Sequence, residues 1–377
     1  MSEDVAEAQP HIARFVESEL VPRSSGWIKQ RRVDLDSWRI AAEAGLFCSS
    51  IPEQYGGLGA SLAYEIMIQQ ELSRAGLAGN IGICHSIHSI IVAHYILNYG
   101  TEAQKLRWLP LMANAEIRGA IAMTEPNAGS DLQGISTNAK RVGDQWQING
   151  QKTFISNGQN ANLILLVCRT SNGPGSESIS LIAVETDNVS GFSRGRNLEK
   201  LGLHGQDTSE LYFDDVLVPQ ENLLGEVPGR GFKQLMEQLA LERLNLALNS
   251  VVSMERAFEL ALAYSRERRA FGQSIFDFQN TQFVLAQAKT DAVVARAFID
   301  SLLVKLFDHE LDAATAAMAK LWASETAFRQ IDSCQQLFGG CGYMAEYPIA
   351  ELAADNRVAR VYGGTSEIMK LVIARSL

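Results

Sequence analysis

MTEPNAGSD, residues 123–131, stands where the texture of the chain changes. Before it the sequence reads as helical: Asp34 and Asp36 precede a helix around Ser37–Gly45, and a long apolar pattern runs from Leu62 to Gly76 after the loop IPEQYGGLGAS. A further apolar stretch from His85 to Tyr99 stops at Gly100, a residue type favoured at helix ends, and EAQKLRWLPLM adds a helical turn. From Gly119 to about Asn222 short β segments between turns take over: WQING, QKTFIS, NLILLVCRT, SISLIAVET and SELYFDDVLVP, with SNGPGSES as a loop between two apolar runs. After GEVPGRG the helical period returns and continues almost to the C-terminus, broken by FGQSIFDFQ, FGGCGYMAEYP and VYGGTSE. The spacing therefore predicts three segments, helical over 1–118, β over 119–222 and helical over 223–377.

Length and composition set limits on what such a chain can be. At 377 residues it exceeds what one hydrophobic core fills, which implies two or three domains. Hydrophobic residues make up 46% and charged ones 20%, enough for large cores with apolar surface left for a subunit interface. The net charge of -10 argues against nucleic acid or an anionic membrane as the main partner. Five cysteines (Cys48, Cys84, Cys168, Cys334, Cys341) without CxxC spacing suit a reducing compartment. The opening MSEDVAEAQP lacks signal-peptide character, and no apolar run is judged long enough to span a membrane, so a cytoplasmic location is expected.

Seven motifs in order resemble the acyl-CoA dehydrogenase family along nearly the whole chain: IPEQYGGLG (51–59), MTEPNAGSD (123–131), KTFISNG (152–158), LGLHGQDTSEL (201–211), RRAFGQ (268–273), QLFGGCGYM (336–344) and YGGTSEIM (362–369). Several look most like the long-chain and isovaleryl-type branch. The resemblance implies an α+β fold with an N-terminal helical domain, a β-barrel-like middle domain and a C-terminal four-helix bundle. It also implies bound FAD, a homotetramer built as a dimer of dimers, and an electron-transfer flavoprotein as acceptor.

The small residues of TEPNAGSD let backbone N–H groups approach a ligand, and Thr124 and Ser130 add hydroxyls; taken alone the segment is also an ordinary capped turn. By resemblance Ala122, Met123 and Thr124 hold the flavin pyrimidine edge, and Ser130 reaches both flavin and the CoA side of the substrate. Phe154 stands where the family usually has tryptophan beside the isoalloxazine, followed by Ile155, and Ser156 supplies the hydroxyl for flavin N5. Read without the neighbouring motifs, Phe154 and Ile155 are plain strand residues.

Arg266, Arg268 and Arg269 form a basic cluster that suits either a solvated helix C-terminus or a pyrophosphate. The resemblance assigns Arg268, Phe271 and Gln279 to the ADP half of FAD from a neighbouring subunit, with Gln336, Gly339 and Gly340 closing on the same phosphates. Thr365 and Glu367 are likewise expected toward the flavin nucleotide, although Glu367 also reads as a helix-start acid. The apolar setting of His85 and His88, with only Cys84 and no carboxylate close in sequence to complete a ligand set, argues against a metal site.

For the catalytic base the chain departs from the commonest family pattern. Many members carry glutamate directly after the tyrosine of the YxGT loop, where this chain has Gly363. Another branch places it on a helix before an arginine, matching Glu242–Arg243. At 100° per residue Glu242 lies between an apolar flank (Leu235, Leu239, Leu246) and an amide flank (Gln238, Asn245, Asn249). A carboxylate there suits a base sheltered from water, and it equally suits an arginine-paired surface glutamate. By resemblance the N–H of Gly363 holds the thioester carbonyl, with Gly364 and Arg243 on the substrate side.

These assignments lead to α,β-dehydrogenation of an acyl-CoA. A flavin monooxygenase or oxidase on the same scaffold, a dehydrogenase of acyl groups on a carrier protein, and a flavin-free scaffold are the alternatives. Ser130 and Arg243 suit a free CoA and a carrier pantetheine equally, and chain length is not legible.

Overall fold

The computed structural model describes residues 3–173, 175–187 and 189–377; Pro174, within the expected 171–178 loop, and the first two residues lie outside the described ones. Helix starts follow side-chain chemistry. The helix Leu35–Glu43 begins where the Asp34 carboxylate accepts the Ser37 N–H at 2.8 Å. Glu102–Ala113 begins with a reciprocal pair, Thr101 Oγ1 accepting from Gln104 N and Gln104 Oε1 accepting from Thr101 N, so EAQKLRWLPLM is a full helix rather than one turn. Gly100 ends its helix for a different reason from the usual left-handed glycine. Its φ is -71°, and a Cβ there would sit 2.5 Å from the Ile96 carbonyl oxygen.

The run 78–99 corrects one expectation. It is long and apolar enough to cross a membrane by length and composition, yet most of it is buried inside the fold, as expected of a core helix. Much of it is π-helical, including Ser86–Ala93.

The β segment forms one curled sheet of β1 (Gly119–Ala122), β2 (Asn138–Val142), β3 (Gln145–Ser156), β4 (Leu163–Arg169), β5 (Ile179–Glu185), β6 (Phe192–Asn197) and β7 (Thr208–Pro219). Strands run in the order β1-β4-β2-β3-β7-β6, and β5 pairs antiparallel with β4. WQING and QKTFIS are one strand, β3, interrupted by irregularities that sequence spacing read as a boundary. β6 (FSRGRN) was not expected because it carries little apolar alternation; β7 supplies its pairing.

β4 is buried on both faces. Leu163, Leu165 and Val167 pack with Val92, Tyr95 and Trp108 of the helices, while Ile164, Leu166 and Cys168 join Ile148, Leu211 and Phe213 in the strand-lined core. The expected helical and β segments therefore share a core. By contacts the chain divides into two compact units: residues up to 69, 79–200 and 204–238 form the first, and 70–78, 201–203 and 239–377 the second.

The second unit is helical, with Gln279–Phe307, Ala313–Gln336 and Ser366–Ala374 beside the larger part of Gly231–Glu267. On Gln279–Phe307 the buried positions are Thr281, Leu285, Ala288, Ala292, Ala295, Ile299 and Leu302. That alternation of four and three is a narrow seam.

Candidate active site

In the first unit, Lys152 and Thr153 join the KTFIS strand to MTEP. Lys152, 1% exposed, donates from Nζ to the Met123 carbonyl at 2.8 Å and to Glu125 Oε1 at 2.9 Å. Thr153 N donates to the Thr124 carbonyl at 2.9 Å. Glu125 also accepts from Ser136 N, Ser136 Oγ and Thr137 N, closing the neck of the loop that carries Ser130. Burial alone would raise this carboxyl, but the Lys152 charge and these donors hold it at about 2.

Phe154 sits in a β-bulge. Lys152 pairs with Leu211 and Ile155 with Ser209, so Thr153 and Phe154 stand opposite Glu210 alone. Phe154 adopts φ +60° and is 66% exposed. A left-handed aromatic costs energy and persists mainly where function uses it. Ser130 is exposed, and Met123, Thr124 and Ser156 are half-buried. Ala122 and Ile155 point into the strand-lined core, so only their backbones are placed to meet a ligand.

In the second unit, Arg269–Ala270 and Gln273–Ser274 form a hairpin turned by Phe271 (φ +52°) and Gly272 (φ +85°). Two positive φ values are what such a two-residue turn requires, and they favour Asn or Gly. Phe271 is there instead, 95% exposed. Arg268, Gln279, Gln336, Gly339 and Gly340 are also exposed. Tyr264 stacks on Phe338 and donates to its carbonyl at 3.3 Å, and Arg268, whose N–H donates to the Tyr264 carbonyl, follows one turn later beside the QLFGGCG turn. A Cβ on Gly339 or Gly340 would meet nothing within 4 Å. A guanidinium, two open glycines and a strained exposed phenylalanine suit the phosphates and rings of a flavin nucleotide. The residues fit FAD.

The expected base region lies in the same unit. Glu242 and Arg243 are 8% and 6% exposed on the helix Gly231–Glu267. Burial pulls the Arg243 guanidinium below its ordinary range against the opposing charge of Glu242, and its Nε has no hydrogen-bond partner among the described residues. Every residue from 241 to 252 is buried except Leu246, which is half-buried. Gly363 and Gly364 are both left-handed, with φ of +64° and +98°, and a Cβ on Gly363 would run into Leu246 Cδ1. Thr365 caps the following helix by accepting from Ile368 N, and Glu367, exposed in the first turn, is held low by its own N–H and the Thr365 hydroxyl.

Lys320, absent from the sequence reading, donates to the Gly364 carbonyl at 2.6 Å. Burial and the Arg243 charge push it down to about 8, against Glu325 and Glu367. The only sequence signal is a lysine within the small-residue run AATAAMAKLWASE. The histidines also gain neighbours that sequence distance hid: Glu65 Oε1 lies 2.8 Å from His85 Nε2, and Cys48 Sγ 3.7 Å from His88 Nε2. No cluster of three metal-ligating side chains occurs among the described residues.

Comparison with known proteins shows the family. Family profiles described as acyl-CoA dehydrogenase N-terminal, middle and C-terminal domains match residues 2–116, 120–216 and 229–377. The mitochondrial long-chain specific acyl-CoA dehydrogenase of Rattus norvegicus is 43% identical over 368 residues, 97% of this chain and 84% of that protein. The mitochondrial isovaleryl-CoA dehydrogenase of Oryza sativa subsp. japonica is 34% identical over 368 residues, 98% of this chain and 87% of that protein. The crystal structure of an acyl-CoA dehydrogenase from Geobacillus kaustophilus superposes with a TM-score of 0.95 at 42% identity, covering 100% of this chain and 98% of that one.

Proposed function

The chain belongs to the acyl-CoA dehydrogenase family and is an acyl-CoA dehydrogenase, and we propose that it desaturates its acyl thioester at the α,β position with Glu242 as base. The carboxylate of Glu242 takes the α-proton. The N–H of Gly363 donates to the thioester carbonyl and stabilises the charge that develops there. FAD, when bound, supplies the two-electron acceptor for the β-hydrogen, so the products are an enoyl thioester and reduced flavin, whose electrons pass to an electron-transfer flavoprotein. Met123, Thr124, Ser130, Phe154 and Ser156 would meet the flavin ring system, and Arg268, Phe271, Gln336, Gly339 and Gly340 the nucleotide end.

One observation carries the choice of base. The side-chain direction of Gly363 leads to Leu246, one helical turn beyond Glu242. An acid on the loop and an acid on the helix would thus approach the same place, and this chain has only the second. Burial of Glu242 beside a buried arginine supports a proton acceptor screened from water.

Anaerobic mixing with an acyl-CoA panel tests this reading. The parent should lose its oxidised flavin absorbance, and Glu242→Gln should bind the same thioester without that loss. Rapid bleaching of Glu242→Gln would assign the base elsewhere.

A homotetramer is part of the proposal. The narrow buried seam of Gln279–Phe307 leaves Phe283, Val293, Val294 and Val304 exposed, apolar surface that a second copy would cover.

A further inference from the structure

The turn that takes the place of the loop acid has no side chain of its own to hold it. Gly363 and Gly364 are both left-handed, and consecutive glycines lose more conformational freedom on ordering than any other pair. Its two ends are fixed from outside: Glu325 Oε1 accepts from Arg360 Nε at 2.8 Å on one side and from Ser366 Oγ at 2.6 Å on the other. Glu325 belongs to the helix Ala313–Gln336, and so does the residue that meets the middle of the turn.

That residue is Lys320. It is fully buried, as are Ala316, Ala317, Ala319 and Ala323 of the same helix stretch, and among the described residues no carboxylate lies within 4 Å of its Nζ. A buried ammonium is costly unless it is paired, and an apolar side chain of similar length would pack there at less cost. The ammonium is instead spent on one acceptor, the Gly364 carbonyl. The charged groups acting on it are Arg243, which opposes its charge, and Glu325 and Glu367, which favour it.

We propose that Lys320 is a positioning residue for the dehydrogenation: by holding the Gly364 carbonyl it fixes the Gly363–Gly364 turn, so that the Gly363 N–H meets the thioester oxygen as charge develops on it. This rests on the role given to Gly363 under Proposed function. Since Glu325, Arg360 and Ser366 secure the ends of the turn independently, removing the lysine donor loosens its centre and leaves the fold in place. A donor displaced by an ångström costs about 10²-fold in a reaction that depends on it, and less in binding of the uncharged product.

The test compares the FAD-loaded parent with Lys320→Met and with Lys320→Gln, which keeps an N–H donor. Two ligands are titrated and followed by the flavin spectrum: a 3-oxoacyl-CoA, which binds as its enolate, and a 2-enoyl-CoA. Hydrogen exchange of the 361–369 segment is measured on the same samples without ligand. In Lys320→Met, enolate affinity and kcat should fall by about 10²-fold while enoyl-CoA affinity and KM change less than about threefold. Exchange should quicken in 361–369, and Lys320→Gln should recover part of both losses. Equal loss of both ligands, no loss of either, or unchanged exchange would overturn the proposal, and if Lys320→Met does not fold, the same comparison in Lys320→Gln decides it. A parent that gives no enolate signal at all would instead remove the function on which the inference rests.

Discussion

Gly363 faces Leu246: the position of its missing Cβ is filled by the leucine's Cδ1, four residues beyond Glu242 on the long helix. The chain therefore lacks the loop acid and also fills the space that acid would use. Glu242→Gln should lower flavin reduction by about 10²–10⁴-fold or more, as expected for a lost general base. Adding Gly363→Glu should restore little, since a side chain there adopts φ +64° at a cost of ~1–2 kcal/mol and collides with Leu246. Glu242→Gln/Gly363→Glu/Leu246→Ala should recover more. Stopped-flow reduction of all three variants measures this, and a double variant as active as the triple one would show that Leu246 does not matter.

At the proposed nucleotide site, flavin retention should depend on residues that this chain alone leaves exposed. Arg268→Ala removes a charged donor beside the open glycines 339 and 340 and should weaken FAD binding by about ten- to a hundredfold. Phe271→Gly should relieve the strained turn, raising or preserving thermal stability of the flavin-free protein while lowering FAD affinity. Equilibrium dialysis against FAD, paired with thermal melts, separates the two effects. Unchanged dialysis for both variants would remove the hairpin from the nucleotide site.

Much of this was legible because its signals are local. Asp34 announces a helix start by its own side chain, and β4, β5 and β7 carry apolar runs that identify them. β6 carries no such run, since its stability comes from pairing with β7. The bulge at Phe154 depends on the register against β7, which no spacing within KTFIS encodes. Lys152 and Lys320 look like surface lysines in sequence, and only the fold brings the Met123 and Gly364 carbonyls to them. The same holds for His85, whose carboxylate partner, Glu65, is twenty residues away.

Assembly should respond to the exposed side of Gln279–Phe307. Its buried stripe covers too little of the helix to account for Val293 and Val294, which lie exposed on the chain alone. Replacing both by aspartate places charge on that face without touching the seam. Light scattering after size exclusion should show the parent as a tetramer and the double variant as a smaller species that retains its helical content. A parent monomer carrying FAD and active on acyl-CoA would contradict the assembly.

The acid limb of stability should depend on Glu125. Its folded value of about 2 lies below its ordinary 4.5, so its contribution is fully present above pH 4.5 and is lost as pH falls from there toward 2. The size of that shift corresponds to ~3 kcal/mol. Glu65, also held at about 2 against burial by His85 and the Ser49 and Ser50 donors, titrates over the same window. Lys152→Met leaves the Glu65 partners in place and removes the ion-pair partner of Glu125: it should cost ~3–5 kcal/mol at neutral pH, because the buried carboxylate loses its ion pair. It should also flatten the fall in stability between pH 4.5 and 2, leaving the portion due to Glu65 and to the Ser136 and Thr137 donors on Glu125. Because Lys152 also holds the Met123 carbonyl, FAD should dissociate more readily from this variant at neutral pH, where the parent retains it. Denaturant titrations of the parent and of Lys152→Met across that pH range measure the difference in slope; parallel curves would mean that the pair does not set the acid response, whatever its effect on the flavin.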